Sequence, residues 1–262
     1  MKDSSESMDN PINAGTTVQS GKYKRPPIQE AVCEIHFKLP QPFDKEALLK
    51  LQPFWQELYP QQDVVAGREL ELRLTLDKMD ATQKESGHKL IMRSADGKNI
   101  AQLGPTFLAV NRVDPYLGWE ESFRDTILQR FNEVQKVFPF EIIQRIGLRY
   151  INRIDFPESP LKWKDWFALA LPVPEELQPV GEFQSHARSL LDHNLLCDIN
   201  LGTLPMPKKN VTSVILDIDV NSLSEIPAAS LAEGLERVHV PHRQLFEAYL
   251  LDKTRKLFNV SR

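Results

Sequence analysis

The chain has 262 residues, 41 % of them hydrophobic and 26 % charged, with a formal net charge of −4. That length and balance suit a globular protein with a sizeable core. The slight acid excess argues against bare nucleic acid as the main partner, since neutralising phosphates takes a surplus of Lys and Arg on at least one face. Two cysteines, Cys33 and Cys197, make no disulfide framework, and no apolar run approaches the ~20 residues of a membrane span. These features point to a cytoplasmic protein.

Residues 1–24 are rich in Ser, Asp, Asn, Gly and Thr without an apolar h-region, and read as a flexible tail. From Ala31 to Leu39 apolar residues hold the odd positions and Glu34, His36 and Lys38 most of the even ones, the period of a half-buried strand. Asp44 is placed to cap a helix carrying Leu48, Leu51 and Trp55, with Pro53 as a blemish and Pro60 as its stop. Alternation over 69–76 predicts a strand, and shorter strands follow at 89–93, 100–103 and 107–111, the first two joined by the turn signal Asp96-Gly97. Phe123, Ile127, Phe131, Val134 and Phe138 form the stripe of a helix over 119–137.

After Pro139 the pattern restarts. Ile146, Leu148, Tyr150, Ile154 and Phe156 share parity in a long strand, and a short helix carries Trp163, Trp166 and Phe167. A proline-rich loop (172–179) precedes strands at 181–191 and 195–202 around the turn 192–194, then a loop at 204–210. A strand over 214–220, a short helix near 228–235 and a final helix from Pro241 to Phe258 complete the chain. The expectation is an α+β protein with an internal duplication: a strand-helix-antiparallel strands-helix unit occurs twice, over 25–139 and 140–262. Together the units form one curved antiparallel sheet with the long helices on one face. This order resembles the topology of the TATA-box-binding protein fold, without a shared motif. A helix-grip fold is the nearest rival.

The segments RPPIQEAVCEIHF (25–37), NRVDPYLGWEESF (111–123) and RIGLRYINRIDFP (145–157) resemble three signatures of a sporadically distributed bacterial family of roughly 250-residue proteins. The resemblance covers Arg25 to Pro157 and brings no reaction, substrate or catalytic residue with it. Sporadic occurrence implies a setting among mobile or defence-related genes.

The strongest local oddity is Arg145, Arg149 and Arg153, all of one parity on one strand. Arginines four residues apart stand about 13 Å apart, too far to grip one phosphate side by side. They form either a basic stripe for an extended anion or cross-strand ion pairs. Pairing the two first strands predicts Glu34, then Glu30, as partners of Arg149. With Asn152 and Tyr150 the arginines make a candidate ligand or partner site. Tyr116 and Trp119 add a candidate aromatic platform, or else pack the start of the helix.

The open sheet face carries mixed charge: Glu30 and Glu34; Glu69, Glu71, Arg73 and Asp77; Asp217 and Asp219; and the arginines. A nucleic-acid saddle is not expected there. Asp217 and Asp219 read as a solvated strand face rather than a Mg²⁺ pair. His186, His193, Cys197 and Asp198 match no zinc spacing, and His239 and His242, at the start of the final helix, read as neutral packing or capping groups. The loop 202–210 (GTLPMPKKN) is a partner contact or a plain connection. No phosphate loop, nucleophile elbow or zinc-protease helix is present, so no catalytic residue, metal or cofactor is expected.

Two functions follow. One is a non-catalytic binding or regulatory protein that acts on a protein partner or as a homodimer. The other is a small-ligand or nucleotide-binding module, enzymatic or not, built on strand 145–154. Arginines paired to carboxylates favour the first; unpaired guanidiniums lining a pocket favour the second.

Overall fold

A computed structural model describes residues 23–74, 79–169, 174, 176, 180–192, 194–205 and 210–258, with the backbone alone for 67–74 and 79–86. Most of the expected tail, Asp77, most of the loop 172–179, His193 and residues 206–209 lie outside the described residues, as do the side chains of Glu69, Glu71 and Arg73.

The protein is α+β, built on one antiparallel sheet. Its strands are β1 (Ile28–Phe37), β2 (Gln61–Leu74), β3 (Met79–Arg93), β4 (Asn99–Leu103), β5 (Phe107–Val113), β6 (Ile142–Phe156), β7 (Gln184–Asp192), β8 (Leu195–Thr203), β9 (Thr212–Ser222) and β10 (Ile226–Pro227). The spatial order is β2-β3-β4-β5-β1-β6-β9-β8-β7, with β10 on β6. The first strands of the two halves therefore pair at the centre, and later strands are added outward on either side, four beyond β1 and three beyond β6.

Alternation decides the faces. On β1, Ala31, Cys33, Ile35 and Phe37 are fully buried, as are Leu148 and Phe156 on β6 and Val214, Leu216, Ile218 and Val220 on β9. These residues turn toward a single core beneath the helices α1 (Lys45–Trp55), α2 (Arg124–Val137) and α3 (Leu231–Tyr249). The Asp44 carboxylate caps α1 by accepting the Ala47 amide at 2.7 Å. A π-helical turn, Trp119–Phe123, leads into α2. The long helices lie on the same face and touch: Trp119 stacks on His239 of α3 at 4.2 Å, and its indole donates to Glu236.

Several boundaries differ from the sequence reading. The ribbon β2–β3 is far longer than expected because 79–88 is nearly all polar and shows no alternation; a backbone ladder with β2 holds it. Trp163, Trp166 and Phe167 are buried, yet the segment forms only a 3₁₀ turn (Trp163–Asp165), because Trp166 and Phe167 wedge against Phe156 and Trp163 packs on Phe167 and Phe183 instead of lining a helix face. The two helices expected at the C-terminus are divided elsewhere. α3 runs straight through Pro241, since Leu231, Leu235, Val238 and His242 make one continuous buried stripe across it. The break falls at Leu250, which bridges to Phe167, and α4 (Asp252–Leu257) follows. The Asp96-Gly97 turn forms as expected, with Gly97 at φ 69° and the Asp96 carboxylate accepting the Lys98 amide.

Two of the buried polar groups of the helix layer, Arg130 and His242, tie elements together. Arg130 is 2 % exposed; its guanidinium donates to Glu133 at 2.9 Å and sits over the rings of Trp55 and Tyr59, tying α1 to α2. Trp55 also donates to Glu133. His242, also fully enclosed, donates from Nε2 to the Ile218 carbonyl at 2.9 Å, and burial pushes its pKa down to about 4. Its neutrality thus comes from burial in mid-helix rather than from a helix start.

Arg130→Ala is expected to lower unfolding stability by about 3 kcal/mol in urea titration, because Glu133 loses its buried partner and the α1–α2 contact loosens. His242 has a folded pKa below its ordinary 6.5, so its contribution is complete above that value and is lost as pH falls toward about 4. Between pH 7 and 5 the wild type should lose about 2 kcal/mol more than His242→Asn, measured by denaturant titration at each pH.

Candidate functional site

The side chains of the opposite parity on β1, β6 and β9 form the sheet face that no described helix covers, and their placement follows from register. On β1–β6, Val32 lies opposite Arg149, Glu34 opposite Gly147 and His36 opposite Arg145. On β6–β9, Arg149 faces Asp219 and Ile151 faces Asp217. Arg145 and Arg149 then reach diagonally to a carboxylate one pair along on the neighbouring strand, while Arg153 turns to Asp155 on its own strand.

Arg149 grips Asp217 with both prongs, Nε to Oδ1 at 2.8 Å and Nη2 to Oδ2 at 2.7 Å, and this hydrogen bonding raises the guanidinium pKa. Its expected partner, Glu34, bonds Arg145 instead: the register sets Glu34 opposite Gly147, diagonal to both arginines, and Arg149 is drawn to Asp217 on β9. Glu34 also accepts from His36 at 2.6 Å, which leads the effects that lower its pKa. Arg153 donates to Asp155 at 3.0 Å, and the Ser213 hydroxyl donates to the same carboxylate. Further out, Asp198 accepts from Arg188 at 2.8 Å and His186 at 3.1 Å, and the Arg188 bond is the main reason its pKa is lowered. On the other side, Lys89 donates to Gln102, Gln102 to Asn111 and Asn111 to Glu30, a relay across β3, β4, β5 and β1.

Asp217 is not solvated as the sequence suggested. Its side chain is 8 % exposed against 46 % for Arg149, because the arginine lies over it. Asp219, directly opposite Asp198, has its pKa raised by burial, with hydrogen bonding from Asn221 in opposition. Gly147 supplies the room here: a Cβ on it would lie 2.6 Å from the Asn221 side-chain oxygen.

The candidate residues fall on two sides of the sheet. Arg145, Arg149 and Arg153 share the uncovered face. Asn152 is buried on the core side, where its amide donates to the Tyr150 and Leu216 carbonyls. Tyr116 and Trp119 are also under the helices; the Tyr116 hydroxyl meets that of Tyr150 at 2.9 Å. Sequence reasoning missed the Lys89–Gln102–Asn111–Glu30 relay, since neutral amides carry no charge signal and their alignment depends on register. Cys197 points into the core with its thiol pKa pushed up to about 12 by burial, away from His186 and Asp198. Among the described residues no three His, Cys, Asp or Glu side chains converge as a metal-holding group, and no helix is long and apolar enough to cross a membrane.

A scan against protein-family models finds no match, and no curated protein matches the sequence.

The Arg149–Asp217 pair should respond asymmetrically. Arg149→Ala strands a nearly buried carboxylate with Asn200 as its one remaining side-chain hydrogen-bond donor among the described residues and is expected to cost about 2–3 kcal/mol; Asp217→Ala frees a half-exposed arginine to rehydrate and should cost about 1 kcal/mol. In urea unfolding the double variant should be no less stable than Arg149→Ala alone.

Proposed function

We propose that the protein is a non-catalytic binding or regulatory protein that engages a protein partner, or a second copy of itself, through the uncovered face of β1, β6 and β9. The observation that carries this reading is that Arg145, Arg149 and Arg153 each already hold a carboxylate of the chain. A site for a small anion keeps guanidinium donors available for it. Here an incoming phosphate would have to displace an internal carboxylate and meet Glu30, Asp198 and Asp219 close by. The same argument sets nucleic acid aside as the ligand of this face. A surface of interspersed, internally satisfied charges suits a complementary protein surface, where charge pattern supplies register and selectivity. We place this activity in the cytoplasm, in a role accessory to a mobile-element or defence system, as the family resemblance implies.

The test is isolation of the tagged chain from its source cells beside an Arg145→Asp variant, which reverses one half-exposed charge of the face. The expected outcome is a protein recovered with the wild type and lost with the variant, while melting temperatures agree within a few degrees. Equal recovery with both, or a stoichiometric nucleotide released on denaturing the wild type, would overturn the proposal.

A further inference from the structure

Beyond Arg145 and Arg149, where β1 begins and β6 ends beside the C-terminal helix, the surface holds an open pocket of about 330 Å³ that Arg153 helps to line. Such a volume is at the small end of ligand pockets. Its walls come from three places in the chain. Arg25, Pro27 and Gln29 lead into β1, Arg153 and Asp155 lie on β6, and Leu257 and Phe258 close the far side. The segment Arg25-Pro26-Pro27 that the sequence singled out thus forms one wall.

That wall is rigid. Prolines 26 and 27 hold φ near −65°, and the segment is pinned at both ends: the Arg25 amide donates to the Phe258 carbonyl at 3.0 Å, and the Arg153 amide donates to the Pro27 carbonyl at 2.8 Å. Arg25 is therefore positioned by its backbone, without a side-chain anchor. Among the described residues no carboxylate engages its guanidinium, in contrast to Arg145, Arg149 and Arg153. Arg153 contributes from the other side; Asp155 takes its Nε and Ser213 its Nη2, which leaves Nη1. Pro27, Leu257 and Phe258 add an apolar surface.

We infer that this cavity binds a small organic anion, whose acidic group is held between Arg25 and Arg153 and whose apolar part lies against Phe258 and Leu257. Two guanidiniums against one carboxylate leave the lining with a surplus positive charge. The unengaged one has the fork of donors that matches a carboxylate or a phosphate monoester. The inference shares Arg153 with the uncovered face but turns on Arg25, which lies outside the proposed partner surface, and it concerns a different class of ligand.

The test uses the full chain and three probes: phenyl phosphate, inorganic phosphate and the uncharged benzyl alcohol. Calorimetry should show phenyl phosphate binding, inorganic phosphate binding more weakly and benzyl alcohol not binding. Because the Arg25 side chain is exposed, Arg25→Gln should leave the melting temperature of the free protein unchanged while weakening phenyl phosphate binding at least about tenfold, the loss of one charge-assisted contact. No phenyl phosphate binding at millimolar concentration, or equal binding by Arg25→Gln, would overturn the inference. Equal affinity for phenyl and inorganic phosphate would overturn the apolar half of it.

Discussion

The antiparallel pairing of β1 with β6 is the contact on which the rest of the structure depends. It joins the first strand of one half to the first strand of the other, and every other strand of the main sheet is added outward from it. Because side chains alternate along a strand, the register of this one pair assigns each residue of both strands to the core or to the uncovered face. A slip of one residue in β1 would turn Cys33 and Ile35 outward and drive Glu34 beneath the helices; one in β6 would do the same to Leu148 and to Arg145 and Arg149. Charges under an apolar layer cost far more than the ladder returns, so the register is held from both sides.

The same pairing explains the electrostatics of the uncovered face. Like parity put the arginines and acids on one surface, and register then chose which met which. Asp217 gained Arg149 because β9 brings it one pair away, while Glu34 went to Arg145 and His36. Neutralised in this way, the strand-borne arginines stabilise the centre of the sheet and present a patterned surface. Arg25 sits outside this scheme, at the approach to β1, where its direction comes from proline geometry. The two environments therefore suit different partners: a protein surface for Arg145 and Arg149, a small anion for Arg25 with Arg153 beside it.

Beneath the sheet the helix layer is held by more than apolar contact. Arg130 lies between Trp55, Tyr59 and Glu133, so its buried charge is met by aromatic faces and a carboxylate. His242 is enclosed in its neutral form, bound to a β9 carbonyl. Each ties a helix to a neighbouring element, α2 to α1 and α3 to the sheet, and each gives the core a directional contact that hydrophobic burial lacks.

Much of the architecture was legible in the residues themselves. Period-two alternation marked β1, β6 and β9, helical spacing marked α2, and Asp44 and Asp96-Gly97 marked a cap and a turn, because each of these depends on neighbours in the chain. Where alternation was absent, as over 79–88, or where aromatics packed without a helix, as at Trp163–Phe167, local pattern pointed elsewhere; those segments are shaped by a partner strand or by the core. The site divides in the same way. Parity alone placed Arg145, Arg149 and Arg153 together on one surface. Only the tertiary structure decided that Arg149 belongs to Asp217, that Asn152, Tyr116 and Trp119 lie under the helices, and that Arg25 meets Arg153 across a cavity. Those facts depend on strand register and on contacts between residues from about thirty to more than a hundred positions apart, which a linear pattern does not encode.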